Sequence, residues 1–170
     1  MSINGKGEML LSVRAERDMS FTFLPRFGAL FHLVSDGSES CTYYGYGPYE
    51  SYVDKHRASW IDLFEAKVRD MHEDYIVPQE NGSHYGVSEL SVGPVFAWSG
   101  QPFSFNASYY TAKELEKAAH NYELVPSGSL ELHLDYRQSG IGSGSCGPQL
   151  MDRYQLSEKH IDWDIVISFR

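Results

Sequence analysis

The tightest constraint in this sequence is a spacing of two. Leu130, Leu132 and Leu134 alternate with Glu131, His133 and Asp135, and Trp163, Ile165, Ile167 and Phe169 alternate with Asp162, Asp164, Val166 and Ser168. Side chains along an extended strand point to opposite faces in turn, so this spacing specifies half-buried strands and not helices. Residues 9–15, 21–24, 27–34, 41–46, 63–71, 85–90, 95–98 and 103–106 also have strand character and are separated by Gly, Pro, Asn and Ser. Tyr and Phe suit a pleated surface, and aromatic residues make up 14% of the chain, with twelve Tyr. Many short strands at turn-punctuated intervals predict an all-β fold, an antiparallel β-sandwich.

One short helix interrupts the strands. Thr111-Ala112-Lys113-Glu114 is a capping box, with Thr111 as N-cap and Glu114 three residues on. Leu115, Ala118 and Ala119 continue it to about Asn121. A turn of helix is also expected within residues 54–64. With 170 residues, no internal repeat and no low-complexity linker, residues 1–170 read as a single domain.

Charge and cysteine usage exclude some function classes. The formal net charge is −9 and no Lys/Arg cluster is present, which argues against nucleic acid as a partner. No apolar run approaches the ~18 residues of a membrane-spanning helix, so no membrane partner is expected. The start, Met-Ser-Ile-Asn-Gly-Lys-Gly-Glu, lacks the pattern of a signal peptide. Cys41 and Cys146 lie far apart, form no CxxC pair and fit a cytoplasmic chain without a disulfide framework. Cys41, among Thr42, Tyr43 and Tyr44, reads as a small core residue. The seven His are scattered without metal-ligand spacing, so no metal and no cofactor is expected in this chain.

Few residues suggest chemistry. Gly142-Ser143-Gly144-Ser145-Cys146-Gly147 matches GxGxxG, but Pro148 follows at once and the context is not a βαβ unit. Glu50 with Asp54, or Glu80 with Asp135, could in principle serve as a pair of carboxylates, one acid and one nucleophile. Nothing in their spacing places either pair across a substrate, so no catalytic residue is assigned. Pro78-Gln79-Glu80-Asn81-Gly82 is a turn by composition. Glu80 and Asn81 either line a ligand-facing surface or brace the turn by local hydrogen bonds.

Five motifs occur in order: Leu24-Pro25-Arg26-Phe27-Gly28, Gly45-Tyr46-Gly47-Pro48-Tyr49-Glu50-Ser51-Tyr52, Pro78-Gln79-Glu80-Asn81-Gly82, His120-Asn121-Tyr122-Glu123-Leu124 and Asp135-Tyr136-Arg137-Gln138-Ser139-Gly140-Ile141-Gly142. Together they resemble the C-terminal small-chain domain, domain 5, of glycoside hydrolase family 2 β-galactosidases. The resemblance implies a partial sandwich similar to galactose mutarotases and a non-catalytic role beside a (β/α)₈ barrel that carries both catalytic Glu residues. It implies as partners that barrel domain or large subunit and the galactoside substrate. A half-sandwich leaves an open strand edge and uncovered apolar area, so the fragment is expected to self-associate through residues 9–23 or to need its missing part. It also places residues 139–148 nearest the substrate, with Ser145, Cys146, Glu80 and Asn81 as substrate-binding candidates. The family commonly has Trp where Cys146 stands, and a thiol offers no stacking platform. A stand-alone carbohydrate-binding module and a mutarotase-like epimerase are the alternatives.

Overall fold

A computed structural model describes residues 1–142 and 148–169. It is an all-β, antiparallel sandwich. Its strands are β1 (Ser2–Ile3), β2 (Glu8–Glu16), β3 (Arg26–Val34), β4 (Ser40–Gly47), β5 (Trp60–Lys67), β6 (His84–Val92), β7 (Val95–Ser108), β8 (Ser129–Gln138) and β9 (His160–Phe169). Among the described residues the one α-helix is α1, Ala112–Lys117. Thr111 caps it as expected: its side chain accepts from the Glu114 N–H while the Glu114 carboxylate accepts from Thr111. The helix stops at Lys117, short of Asn121. No described helix is long and apolar enough to cross a membrane.

The strands hydrogen-bond in the order β1-β2-β9-β7-β6-β4-β5, and a branch adds β8 and then β3 to β7. β7 is the junction. One of its edges pairs with β6 through Val95–Trp98 and again at Phe103 and Phe105. The other pairs with β9 through Val95–Trp98 and with β8 through Ser104–Ser108. The branches close over a core in which Trp163, Ile165 and Ile167 of β9 meet Leu130, Leu132 and Leu134 of β8, Phe103 and Phe105 of β7, and Tyr43 of β4. Cys41 is fully buried in this core, and burial pushes its thiol far above the ordinary range.

Five expectations are corrected. Residues 95–98 and 103–106 are one strand: Ser99–Pro102 form a wide bulge where the pairing with β6 jumps from Glu89↔Trp98 to Val87↔Phe103. Residues 21–24 form no strand beyond a bridge from Leu24 to Leu156. Their backbone groups are taken up singly: Phe21 O accepts from the buried Arg17 guanidinium, and Leu24 O accepts from Ser139 Oγ at 2.6 Å. Residues 54–64 hold no helix, only the Tyr52–Lys55 turn, a turn closed by Ser59 N donating to His56 O, and the start of β5. That strand ends at Lys67, and Val68–Met71 tighten into a 3₁₀ turn. β8 is not half-buried, since Glu131 and Asp135 on its polar face are 2% and 1% exposed. β3 lies alongside, setting His32 Nδ1 2.6 Å from Glu131 and Arg26 against Asp135.

Candidate functional site

The start of β3, the turn before β6 and the end of β8 converge at one corner of the sandwich. Arg26 is the first residue of β3. Its Nη2 donates to Asp135 Oδ2 at 2.5 Å and its Nε to Oδ1 at 3.3 Å, a two-pronged grip, while Nη1 reaches Glu80 Oε2 at 3.2 Å. Gln138 Nε2 adds a bond to Asp135 Oδ2 at 2.8 Å. Glycine makes this approach possible. A Cβ on Gly28 would sit 2.3 Å from Leu134 O and 2.5 Å from Asp135 Oδ1, at the point where the β3–β8 register shifts. Burial works to lower the Arg26 pKa, but the charges of Asp135 and Glu80 prevail and raise it. Glu80 moves the other way: partial desolvation by the surrounding turn and strands, and then the Asp135 charge, lift its carboxyl above the usual range against the pull of Arg26.

The turn carrying Glu80 is braced from both ends. Asn81 Oδ1 accepts from the Glu73 N–H at 3.0 Å, its Nδ2 donates to Gln79 O at 2.9 Å, and its carbonyl accepts from Asn106 Nδ2. Gly82 has φ of +70° and packs so closely that a Cβ would lie 2.5 Å from Met71 O. Its N–H donates to Glu50 Oε2 at 2.9 Å. Glu50, 7% exposed, also accepts from Lys55 Nζ and the Tyr75 hydroxyl on Oε1. Desolvation opposes ionisation there, yet these donors hold its carboxyl below the usual range.

The segment after β8 is tied down up to Gly142. Ser139 N donates to Pro25 O at 2.9 Å and Gly140 N to Tyr154 O at 2.8 Å. Asp54 accepts from the consecutive N–H groups of Ile141 and Gly142 at 3.1 and 2.8 Å. Phe23, Pro25, Arg26, Glu80, Gln138 and Ile141 line an open cleft of about 300 Å³ beside it.

The four candidates from the sequence therefore fare differently. Ser145 and Cys146 lie outside the described residues. Asn81 is 6% exposed with its amide used inside the turn, whereas the Glu80 side chain is 39% exposed at the cleft. Of the carboxylate pairs, Glu80 and Asp135 are brought together by Arg26, and Glu50 and Asp54 face separate donor sets. Arg26 is the site residue that the sequence reading gave no role, and it left one signal, a lone cation between Pro25 and an apolar strand. Asp54 figures there only as a carboxylate beside Glu50, and its place as acceptor for the Ile141 and Gly142 N–H groups left no signal.

Similarity to known proteins covers nearly the whole chain. A family model described as β-galactosidase small chain matches residues 1–167. A β-galactosidase of Actinobacillus pleuropneumoniae is 44% identical over 162 residues, 94% of this chain and 16% of that protein. One from Staphylococcus xylosus is 40% identical over 171 residues, 98% of this chain and 17% of that protein. One from Lactococcus lactis is 31% identical over 161 residues, 94% of this chain and 16% of that protein. The chain thus spans about one sixth of the length of the curated relatives it matches.

Proposed function

The chain belongs to the β-galactosidase small-chain family, and from that premise we propose that it is a non-catalytic part of a longer β-galactosidase, shaping one wall of an active site whose catalytic carboxylates lie elsewhere in the polypeptide. The observation that carries this reading is the mismatch of coverage: relatives align with almost all of this chain while it accounts for only 16–17% of each of the two most similar ones quoted above. The carboxylates within the chain support it. Glu50, Asp54 and Asp135 each accept at least two hydrogen bonds from protein donors, which engages them in holding the structure.

In this reading the cleft beside residues 139–141 faces the galactoside. Glu80 meets the sugar or its aglycone, Asn81 fixes the turn that presents Glu80, and Ser145 and Cys146 extend the wall. The enzyme and its substrate belong to the cytoplasm, consistent with a free, buried Cys41.

The test uses the full-length enzyme. Glu80→Gln should raise KM for a chromogenic galactoside severalfold with kcat nearly unchanged, since it removes a binding contact and no reacting group. Stability should change little, because the Arg26–Glu80 pair is partly solvated. An unchanged KM in a stable variant would sink the assignment of Glu80. Loss of all activity on deleting the chain, with no turnover by the chain alone, is the outcome expected of the accessory role.

A further inference from the structure

Asparagine followed by glycine is a chemically weak step in a polypeptide. Glycine has no Cβ to hinder the approach of its backbone nitrogen to the side-chain amide carbon before it, and asparagine is among the thermolabile residues. The chain has two such steps, Asn4-Gly5 and Asn81-Gly82, whereas Asn106 and Asn121 precede Ala107 and Tyr122. The fold treats the two steps in opposite ways.

Asn81-Gly82 is locked, with both residues buried. The nitrogen that would attack, Gly82 N, donates to Glu50 Oε2 at 2.9 Å, and Glu50 is itself fixed by Lys55 and Tyr75. The Asn81 side chain is engaged by Glu73 N and Gln79 O, and Asn106 holds the Asn81 carbonyl. A Cβ on Gly82 would stand 2.5 Å from Met71 O, so the peptide has no room to rotate toward the Asn81 amide.

Asn4-Gly5 lies in the turn between β1 and β2, and both residues are exposed. The Gly5 N–H has no acceptor among the described residues, and a Cβ on Gly5 would meet nothing within 4 Å. The Asn4 amide is activated as well as accessible. Its Oδ1 accepts from Lys6 N at 2.9 Å and from Glu8 N at 3.1 Å, while its Nδ2 donates to Glu8 Oε2 at 2.6 Å. Two backbone N–H groups aimed at a carbonyl oxygen stabilise the oxyanion that forms when a nucleophile adds to its carbon.

We propose that Asn4 is a self-modification site, deamidated by its own backbone, and that the Glu50 clamp keeps Asn81 from the same reaction. Gly5 N gives its proton to water and bonds to Asn4 Cγ. The Cγ–Nδ2 bond breaks, and the departing nitrogen takes up a proton and leaves as ammonia. Water then adds to either carbonyl of the succinimide ring, giving aspartate or isoaspartate. Water is the sole co-reactant, and nothing is oxidised or reduced. The product sets a carboxylate against Glu8 where an amide had donated, a repulsion across the turn that leads into β2.

The experiment incubates the full-length enzyme in warm, mildly alkaline buffer and follows both Asn-Gly steps by peptide mass spectrometry. In the folded enzyme Asn4 should convert at least ~10-fold faster than Asn81, with isoaspartate among its products. In concentrated urea the gap should close, Asn81 quickening as its clamp is lost and Asn4 slowing as its two N–H donors leave. Gly5→Ala should slow Asn4 severalfold, because a methyl then hinders the attacking nitrogen. The space around Gly5 is open and its φ lies outside the left-handed region, so the variant keeps the fold, which retained galactoside hydrolysis certifies. An Asn4 that stays intact, or an Asn81 that converts as fast in the folded enzyme, overturns the proposal. So does a gap that persists in urea, or an Asn4 rate that Gly5→Ala leaves unchanged.

Discussion

Arg26 and Asp135 show how much one pair of side chains can demand of its surroundings. Asp135 is 1% exposed and held by three hydrogen bonds, two from Arg26 and one from Gln138. Removing one partner of a buried pair strands the other charge. Asp135→Ala should therefore cost about 3–5 kcal/mol, measured as a fall in the urea midpoint at unchanged m-value. His84 sets a pH dependence. Its ring is 2% exposed, stacked on Phe105 and tilted against Tyr43, and burial pushes its pKa down to about 4. The unfolded chain takes up that proton near pH 6.5, so it binds more protons than the folded one between about 6.5 and 4. Stability should fall as pH drops through that window, by up to ~3 kcal/mol. His84→Leu should flatten the decline in a series of denaturation curves, leaving the part due to His133, which burial and Arg26 also push down to about 4. The sequence could not reveal either role. Asp135 and His133 occupy the polar phase of a clean alternation, and only the neighbouring β3 turns that phase into an interior.

At the scale of the element, the legible parts were those with a local cause. The capping box of α1 is written in Thr111 and Glu114, and its hydrogen bonds form as the spacing requires. Thr111→Ala should destabilise by about 1 kcal/mol, read as a small drop in melting temperature. The illegible parts have distant causes. Gly100-Gln101-Pro102 has the composition of a turn, yet β7 runs through it because β6 pairs on both sides of it while the other edge changes hands from β9 to β8. Phe21–Leu24 looks extended and apolar, but its carbonyls are claimed by Arg17 and Ser139. Gly28 could be read as a strand weakness. The structure makes it the opening through which Asp135 reaches Arg26. Gly28→Ala should cost at least ~2 kcal/mol, since backbone and not a flexible side chain blocks the new methyl.

For the whole molecule, family membership was readable from five dispersed motifs, each weak alone, while the junction at β7 was not, because β8 and β9 are far from it in sequence and meet it only through pairing. The inner residues of β2, Met9, Leu11 and Val13, are only partly buried, like Phe31 and Leu33 of β3. These strands at the margin of the sandwich motivate the expectation that the chain, separated from its parent, associates through residues 9–23. Light scattering on the purified chain should show mass rising with concentration, and a strictly monomeric species would count against it. β2 has a further consequence, for the order in which the molecule is made. Met9 pairs with Ile167 and Glu16 with His160, so β2 leaves the ribosome long before the strand it must join. At ~5–20 residues per second that interval is on the order of ten to thirty seconds. Throughout it, Met9, Leu11 and Val13 have no β9 to lie against. Shortening the wait by circular permutation, with β9 translated just ahead of β2, should raise the soluble yield without altering the finished fold.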